Sequence, residues 1–191
     1  MAQVPDPPTD AELLRRIGAG DVSAVAELYD RHGGLLLALS LRIVRDRAEA
    51  EDVLHDAFVL VGERARQYVP ERGAVGAWLV TLVRNLSIDR TRRRERRGAI
   101  ARDVLAHEPQ GQLAQPPPDP ETLVEGARDR ARVRAALAAL PDVQRKTLEI
   151  AFYEGLTYAE IALREGVPIG TIKSRAARAL AALRIALEGS A

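Results

Sequence analysis

The chain has 191 residues, enough for one ordinary domain or two small ones, with 47% apolar and 29% charged residues. Aromatic residues make up only 4%, and the abundance of Ala, Leu, Arg and Glu favours helices and argues against a β-rich fold. A formal net charge of +1 excludes a polycation, so any nucleic-acid contact must come from local segregation of charge; the lack of Cys excludes a disulfide framework, a thiolate zinc site and a cysteine nucleophile.

The N-terminus, "MAQVPDPPTDAELLRR", is polar and Pro-rich, without the basic start and apolar run of a signal peptide, and residues 1–8 are expected to be a disordered tail. Asp10-Ala11-Glu12-Leu13-Leu14 opens the first predicted helix, and Gly18-Ala19-Gly20-Asp21 ends it and caps the next. From Val22 the apolar positions Val25, Leu28 and Tyr29 recur at helical spacing into the run Gly33 to Leu41, which is too short to span a bilayer. The expected location is therefore cytoplasmic. Asp46 with Glu49 is a capping-box-like start for a helix to about Arg66, with Val53, Leu54, Ala57, Phe58 and Val61 as its apolar stripe. Pro70-Glu71-Arg72-Gly73 is a turn. The next helix should turn Trp78, Leu79, Leu82, Val83, Leu86 and Ile88 inward and end in arginines.

The pattern breaks at residue 98. "HEPQGQLAQPPPDPET" is Pro/Gln-rich with little apolar content, and about 30 residues of such a linker would reach roughly 30 Å as a coil. A second helical block begins at about Ala127, with Pro141 between its first two helices and Glu154-Gly155-Leu156 before the last pair. The predicted fold is thus all-α: two small helical domains, residues 9–97 and 127–191, joined by a flexible linker over 98–126. No regulatory domain is expected beyond Ala191.

The second block ends in "YAEIALREGVPIGTIKSRAARALAAL". Thr157 and Glu160 fit a capping box, Gly166 sits where a tight interhelical turn needs a left-handed backbone, and Ala162 is small enough for crossing helices to approach. Ile172, Ala176, Ala179, Leu180 and Leu183 form the apolar stripe of the last helix. This is the spacing of a helix-turn-helix, the second domain's predicted motif. Thr171, Lys173, Ser174, Arg175 and Arg178 lie off that stripe, and donors near the start of such a helix suit base edges and phosphates.

Two further clusters carry charge. Arg84 to Arg97 contains seven Arg against Asp89 and Glu95, a local net of +5, and Asn85 and Asp89 add hydrogen-bonding groups for bases. The helix from Asp46 carries Glu49, Glu51, Asp52 and Asp56 near its start, which spacing alone explains by the helix dipole; the functional alternative is a docking face for a basic partner. The three His offer no metal-ligand spacing, and neither cofactor nor metal is expected.

Together "DAELLRRIGAGDVSAVAELYDRHG", "AEDVLHDAFVLV", "RGAVGAWLVTLVRNLSIDRTRRR" and "LPDVQRKTLEIAFYEGLTYAEIALREGVPIGTIKSRAARAL" resemble the extracytoplasmic-function (ECF) group of bacterial RNA polymerase sigma factors. The resemblance covers residues 9–97 and 127–187 and implies a non-enzymatic initiation subunit that brings core RNA polymerase to a promoter and favours strand opening. It implies that Asp52, His55 and Asp56 contact the clamp of the polymerase's largest subunit, with His55 departing from the Gln common there, and that the flap region is a further partner. Arg84, Asn85, Asp89, Arg92 and Arg93 fall in the segment that engages the −10 element. The loop from about Tyr68 to Ala74 helps hold a flipped-out base, and Trp78 is a core residue. Thr171, Lys173, Ser174, Arg175 and Arg178 match the helix that reads the −35 element, and Pro168 replaces the usual Ser cap at a place suited to a first helical turn. The family is usually held inactive by an anti-sigma factor. Two rivals, a dimeric ligand-sensing regulator and a DNA-processing enzyme, leave residues 46–97 without a role or lack a nucleophile or metal site.

Overall fold

In the computed structural model residues 7–104 and 127–188 are described, and all regular structure among them is helical. The chain divides into two compact units. The expected tail falls largely, and the Pro/Gln-rich linker mostly, outside the described residues.

The first unit holds α1 (Asp10–Gly18), α2 (Val22–Val44), α3 (Arg47–Arg64), two 3₁₀ turns (Ala65–Gln67 and Pro70–Arg72) and α4 (Val75–Val104). α1, α2 and α3 each start where a side chain can satisfy free amides. Thr9 and Glu12 form a full capping box on α1, and Asp21 accepts from the Ser23 amide at 2.9 Å to cap α2. Asp46 caps α3 through the Glu49 amide at 2.9 Å, but the Glu49 carboxylate faces α4 instead of closing the box. α4 is 30 residues long, about 45 Å, and runs past Arg97 to Val104.

The core lies along α2, against which α1, α3 and α4 all pack. Leu28, Leu36, Leu39 and Val44 of α2 are buried with Leu13 and Leu14 of α1, Val53 and Val61 of α3, and Leu79 and Val83 of α4. The three buried polar side chains of this core, His32, Ser40 and Ser87, have partners, as burial demands. His32 Nε2 lies 2.6 Å from Asp10 Oδ2, and the Ser87 hydroxyl lies 3.0 Å from that of Ser40 and 2.8 Å from the Val83 carbonyl. Tyr29 is half-exposed, its ring tilted against Phe58. Arg45 ends α2 with φ 59°, a left-handed conformation in a residue with a Cβ.

The second unit holds α5 (Ala127–Ala138), α6 (Asp142–Glu149), a π-helical stretch (Ile150–Glu154), α7 (Tyr158–Glu165) and α8 (Ile169–Glu188). Thr157 and Glu160 close the capping box of α7, with the Thr157 amide 2.6 Å from Glu160 Oε2. Gly166 takes φ +66° at its end, and the Val167 amide reaches back to the Ala162 carbonyl at 3.1 Å. Ile150, Ile161, Ala162 and Ile172 form the centre of the core, and Ala176 and Ala179 continue it along α8. Leu180 departs from the expected stripe: it is 55% exposed, because it projects to the side of the line from Ile172 through Ala176 and Ala179. Pro168 stands before the first residue of α8, in the capping position, and its carbonyl accepts from the Thr171 amide at 2.9 Å.

A Cβ at Gly166 would meet nothing within 4 Å, so the only penalty of Gly166→Ala is the left-handed backbone. The substitution should lower the stability of the second unit by about 1 kcal/mol, read as a shift in its urea midpoint. Asp21 is held at a pKa of about 2, below its ordinary 3.8, by hydrogen bonds from the Ser23 and Arg16 side chains. Its stabilising effect is therefore complete above pH 3.8 and is lost as the pH falls through about 2. Asp21→Ala should lower the unfolding midpoint at neutral pH, with the gap from the parent chain closing as the pH is taken from 4 towards 2.

Candidate functional site

On α3 the side chains of Asp52, His55 and Asp56 are all exposed, and their spacing of three and four residues places them on one helical face. Val59, 50% exposed, extends that face by a further turn. The result is an acidic stripe with an apolar end. Asp52 is also tied to α4, its Oδ2 accepting from Arg90 Nη2 at 2.7 Å. Glu49, one turn earlier and more buried, lies 3.5 Å from Arg94 and 3.9 Å from Arg90. Arg90 is not among the expected site residues, and the seam it makes with Glu49 and Asp52 joins positions 38 or more residues apart, which leaves no local trace in the sequence.

α4 sorts its residues differently. Val75, Leu79, Val83 and Ser87 follow one another every four residues on the buried side. Ala77, Thr81 and Asn85 repeat at the same interval on an exposed side, and Arg92 lies two turns beyond Asn85. Asn85, Asp89 and Arg92 share this side; Arg84 and Arg93, nine residues apart, flank it on opposite edges. Arg93 pairs with Asp89 at 2.7 Å, and Arg84 donates to Asn85 Oδ1 at 3.2 Å. Burial pushes the Arg84 guanidinium below its ordinary pKa, and the charge of Arg92 pushes the same way. Two cations so placed are stabilised by an added anion.

At the N-terminal end of the same exposed side is a cleft of about 250 Å³. Ala77, Trp78 and Thr81 of α4 form one wall, and Gln67, Tyr68 and Gly73 of the preceding loop form the other. Tyr68 shapes it: its hydroxyl donates to the Gly73 carbonyl at 2.8 Å, closing the loop, while its ring is tilted against Trp78 at 5.9 Å. Trp78 is only partly buried, so its ring serves as a wall of the cleft as well as packing inward. A Tyr and a Trp ten residues apart around a Pro-Gly turn were visible in the sequence; their contact was not.

On α8, Thr171, Ser174 and Arg178 follow a three- and four-residue spacing and share the outer face, opposite Ile172, Ala176 and Ala179. Lys173 is exposed on a different side: five residues from Arg178, it is about 140° away around the helix. Arg175 lies on the flank nearer α7. Its Nη1 is 2.7 Å from Glu165 Oε2, with both side chains about one-fifth exposed. Ser174 donates its hydroxyl to the Thr171 carbonyl at 3.1 Å, which fixes the hydroxyl close to the helix. Among the described residues no group of His, Asp and Glu is arranged to hold a metal ion, and no helix is long and apolar enough to cross a membrane.

A four-helix unit with a charge-sorted pair of faces, followed by a helix-turn-helix unit, defines a two-unit all-helical protein. The comparisons make the class specific. The family described as sigma-70 region 2 matches residues 28–97, and sigma-70 region 4 matches residues 130–183. The ECF RNA polymerase sigma factor SigK of Mycobacterium tuberculosis strain H37Rv is 33% identical over 189 residues, covering 93% of each chain. SigK of Mycolicibacterium vanbaalenii is 34% identical over 182 residues, covering 90% of this chain and 86% of its own. Among solved structures, Rhodobacter sphaeroides SigE in complex with the anti-sigma ChrR shares 29% identity over 94% of this chain and 98% of that one, at a TM-score of 0.47. The chain belongs to the ECF family of RNA polymerase sigma factors. It directs core RNA polymerase to specific promoters for initiation.

Arg90→Ala would leave the Glu49 carboxylate, one of whose oxygens is buried without a hydrogen-bond partner, facing Arg94 alone. The substitution should lower the stability of the first unit by about 1 kcal/mol in urea unfolding, whereas Asp52→Asn, at a 64% exposed side chain, should change it by less.

Proposed function

We propose how the two units divide the work of a sigma factor. The face of Asp52, His55 and Asp56 docks on the clamp of the polymerase's largest subunit, and the second unit also meets the flap. The −10 element lies along the exposed side of α4, where Arg84, Asn85, Asp89, Arg92 and Arg93 meet its backbone and bases. The cleft between Tyr68 and Trp78 receives one unstacked base, since an aromatic wall stacks on any base and the adjoining Thr81 hydroxyl and loop carbonyls supply polar partners. The −35 element is read by α8 through Thr171, Lys173, Ser174, Arg175 and Arg178.

The observation that carries this reading is the continuous exposed side of α4, which runs from an aromatic-walled cleft through Asn85 to Arg92. A surface built only for duplex phosphates would need the arginines but not the cleft. With a net charge of +1 the free protein binds DNA weakly, and the polymerase supplies the remaining affinity. The protein contributes binding and not catalysis. We place it in the cytoplasm, where its polymerase is, under the control of an anti-sigma factor that covers both units; this last element rests on the family resemblance.

Reconstitution with core polymerase and a promoter library, with start sites mapped, tests the proposal. The clamp assignment falls if the Asp52 and Asp56 variants bind core polymerase as tightly as the parent chain. Asp52→Ala with Asp56→Ala should weaken core binding roughly ten-fold or more while leaving upstream-box recognition unchanged. Trp78→Ala should slow promoter opening on duplex templates far more than on templates with a pre-melted −10 region, because its stacking surface is needed only for a base taken out of the duplex.

A further inference from the structure

The ion pair between Glu165 and Arg175 stands where local helix physics argues against it. Glu165 is the last residue of α7, beside carbonyls that already carry the negative end of the helix dipole, so a carboxylate there gains nothing from its own helix. It is only about one-fifth exposed and points across the turn to α8, where its Oε2 meets Arg175 Nη1 at 2.7 Å. Arg164, its neighbour, is engaged elsewhere, with Glu154. Beside the pair opens a cleft of about 400 Å³, to which Lys146, Arg164 and Arg175 contribute three cations against the single carboxylate of Glu165.

The pair holds Arg175, a long cation near the start of α8, against α7. Lys173 and Arg178 are exposed, and each must lose side-chain freedom when it meets DNA. Arg175 has already lost much of it. A guanidinium is a planar fork with five N–H donors, and an ion pair through Nη1 narrows the orientations open to its plane. A plane held at one angle suits the two acceptors on a guanine edge, whereas a swinging cation suits phosphates of any sequence.

We propose that Glu165 is a positioning residue for upstream-box recognition: it holds Arg175 so that the guanidinium meets one base pair in a fixed orientation. This rests on the assignment of α8 as the helix that reads the −35 element. The ligand is the major-groove edge of a G·C pair, and Glu165 acts on it only through Arg175. Simple electrostatics predicts the opposite of positioning, since removing a carboxylate near DNA relieves repulsion from every phosphate and tightens binding to all sequences alike.

The test uses holoenzyme reconstituted from the full chain and core polymerase on promoters randomised across the upstream box, at two salt concentrations. Arg175→Ala should relax preference at one base pair by roughly ten-fold. Glu165→Ala should relax preference at that same pair to a similar degree, with affinity for unrelated sequence unchanged or slightly higher. The double variant should lose no more than either single one, as expected for residues that act as a unit. Glu165→Gln, which keeps an acceptor oxygen and the side-chain volume, should retain most of the preference and guards against a fold defect in the Ala variant. If Arg175→Ala relaxes one base pair and Glu165→Ala does not, the positioning role is overturned while the assignment of α8 stands. Uniformly tighter binding by Glu165→Ala, with preference intact, overturns it equally. If Arg175→Ala changes no base preference, the assignment of Arg175 as a base reader falls and the positioning role falls with it.

Discussion

The packing of α3 and α4 on α2 is the constraint on which the rest of the first unit depends. α2 buries Leu28, Leu36, Leu39 and Val44 along its length, and α1, α3 and α4 all pack against it. Once Val53 and Val61 face α2 from one side and Leu79 and Val83 from the other, the outward faces of α3 and α4 are determined by helical periodicity. The acids then sit on one helix and the arginines on the next. The polar pairs His32 with Asp10 and Ser40 with Ser87 tie α1 and α4 to α2, and each would lose a hydrogen bond if its helix shifted.

The same packing ties the two faces to each other. Arg90 belongs to α4 by sequence but pairs with Asp52 on the acidic face of α3, while Glu49 and Arg94 lie deeper in the same seam. A basic partner arriving at Asp52 therefore competes with Arg90, a residue within the arginine-rich stretch of α4. In the second unit an analogous cross-helix pair, Glu165 with Arg175, reaches over the turn that Gly166 makes possible. Both pairs are modest in energy, as partly exposed ion pairs are. Their importance lies in where they hold a guanidinium.

The two units differ in how they are stabilised. The first has a continuous core of Leu and Val along four helices. The second relies on Ile150, Ile161 and Ile172 with alanines between them, so its helices approach closely and its geometry depends more on caps and turns. Thr157, Glu160 and Gly166 supply these, which explains why so short a sequence specifies a helix-turn-helix.

Much of this was legible in the chain itself. Helix starts at Asp21, Asp46 and Thr157 follow from which side chains can accept from free amides, and the buried stripes of α3 and α8 follow from a 3.6-residue period. These are local effects, and sequence carries local effects directly. The family was legible for the same reason, since its motifs are contiguous. What only the tertiary structure decided is how residues far apart in the chain meet. It turned Leu180 outward, made Trp78 and Tyr68 the walls of a cleft, withdrew Glu49 from its own helix cap, and set Arg175 apart from Thr171, Ser174 and Arg178 by fastening it to Glu165. Helical spacing gives the direction of a side chain to within a face; the partner it finds there depends on which other helix the core has placed opposite.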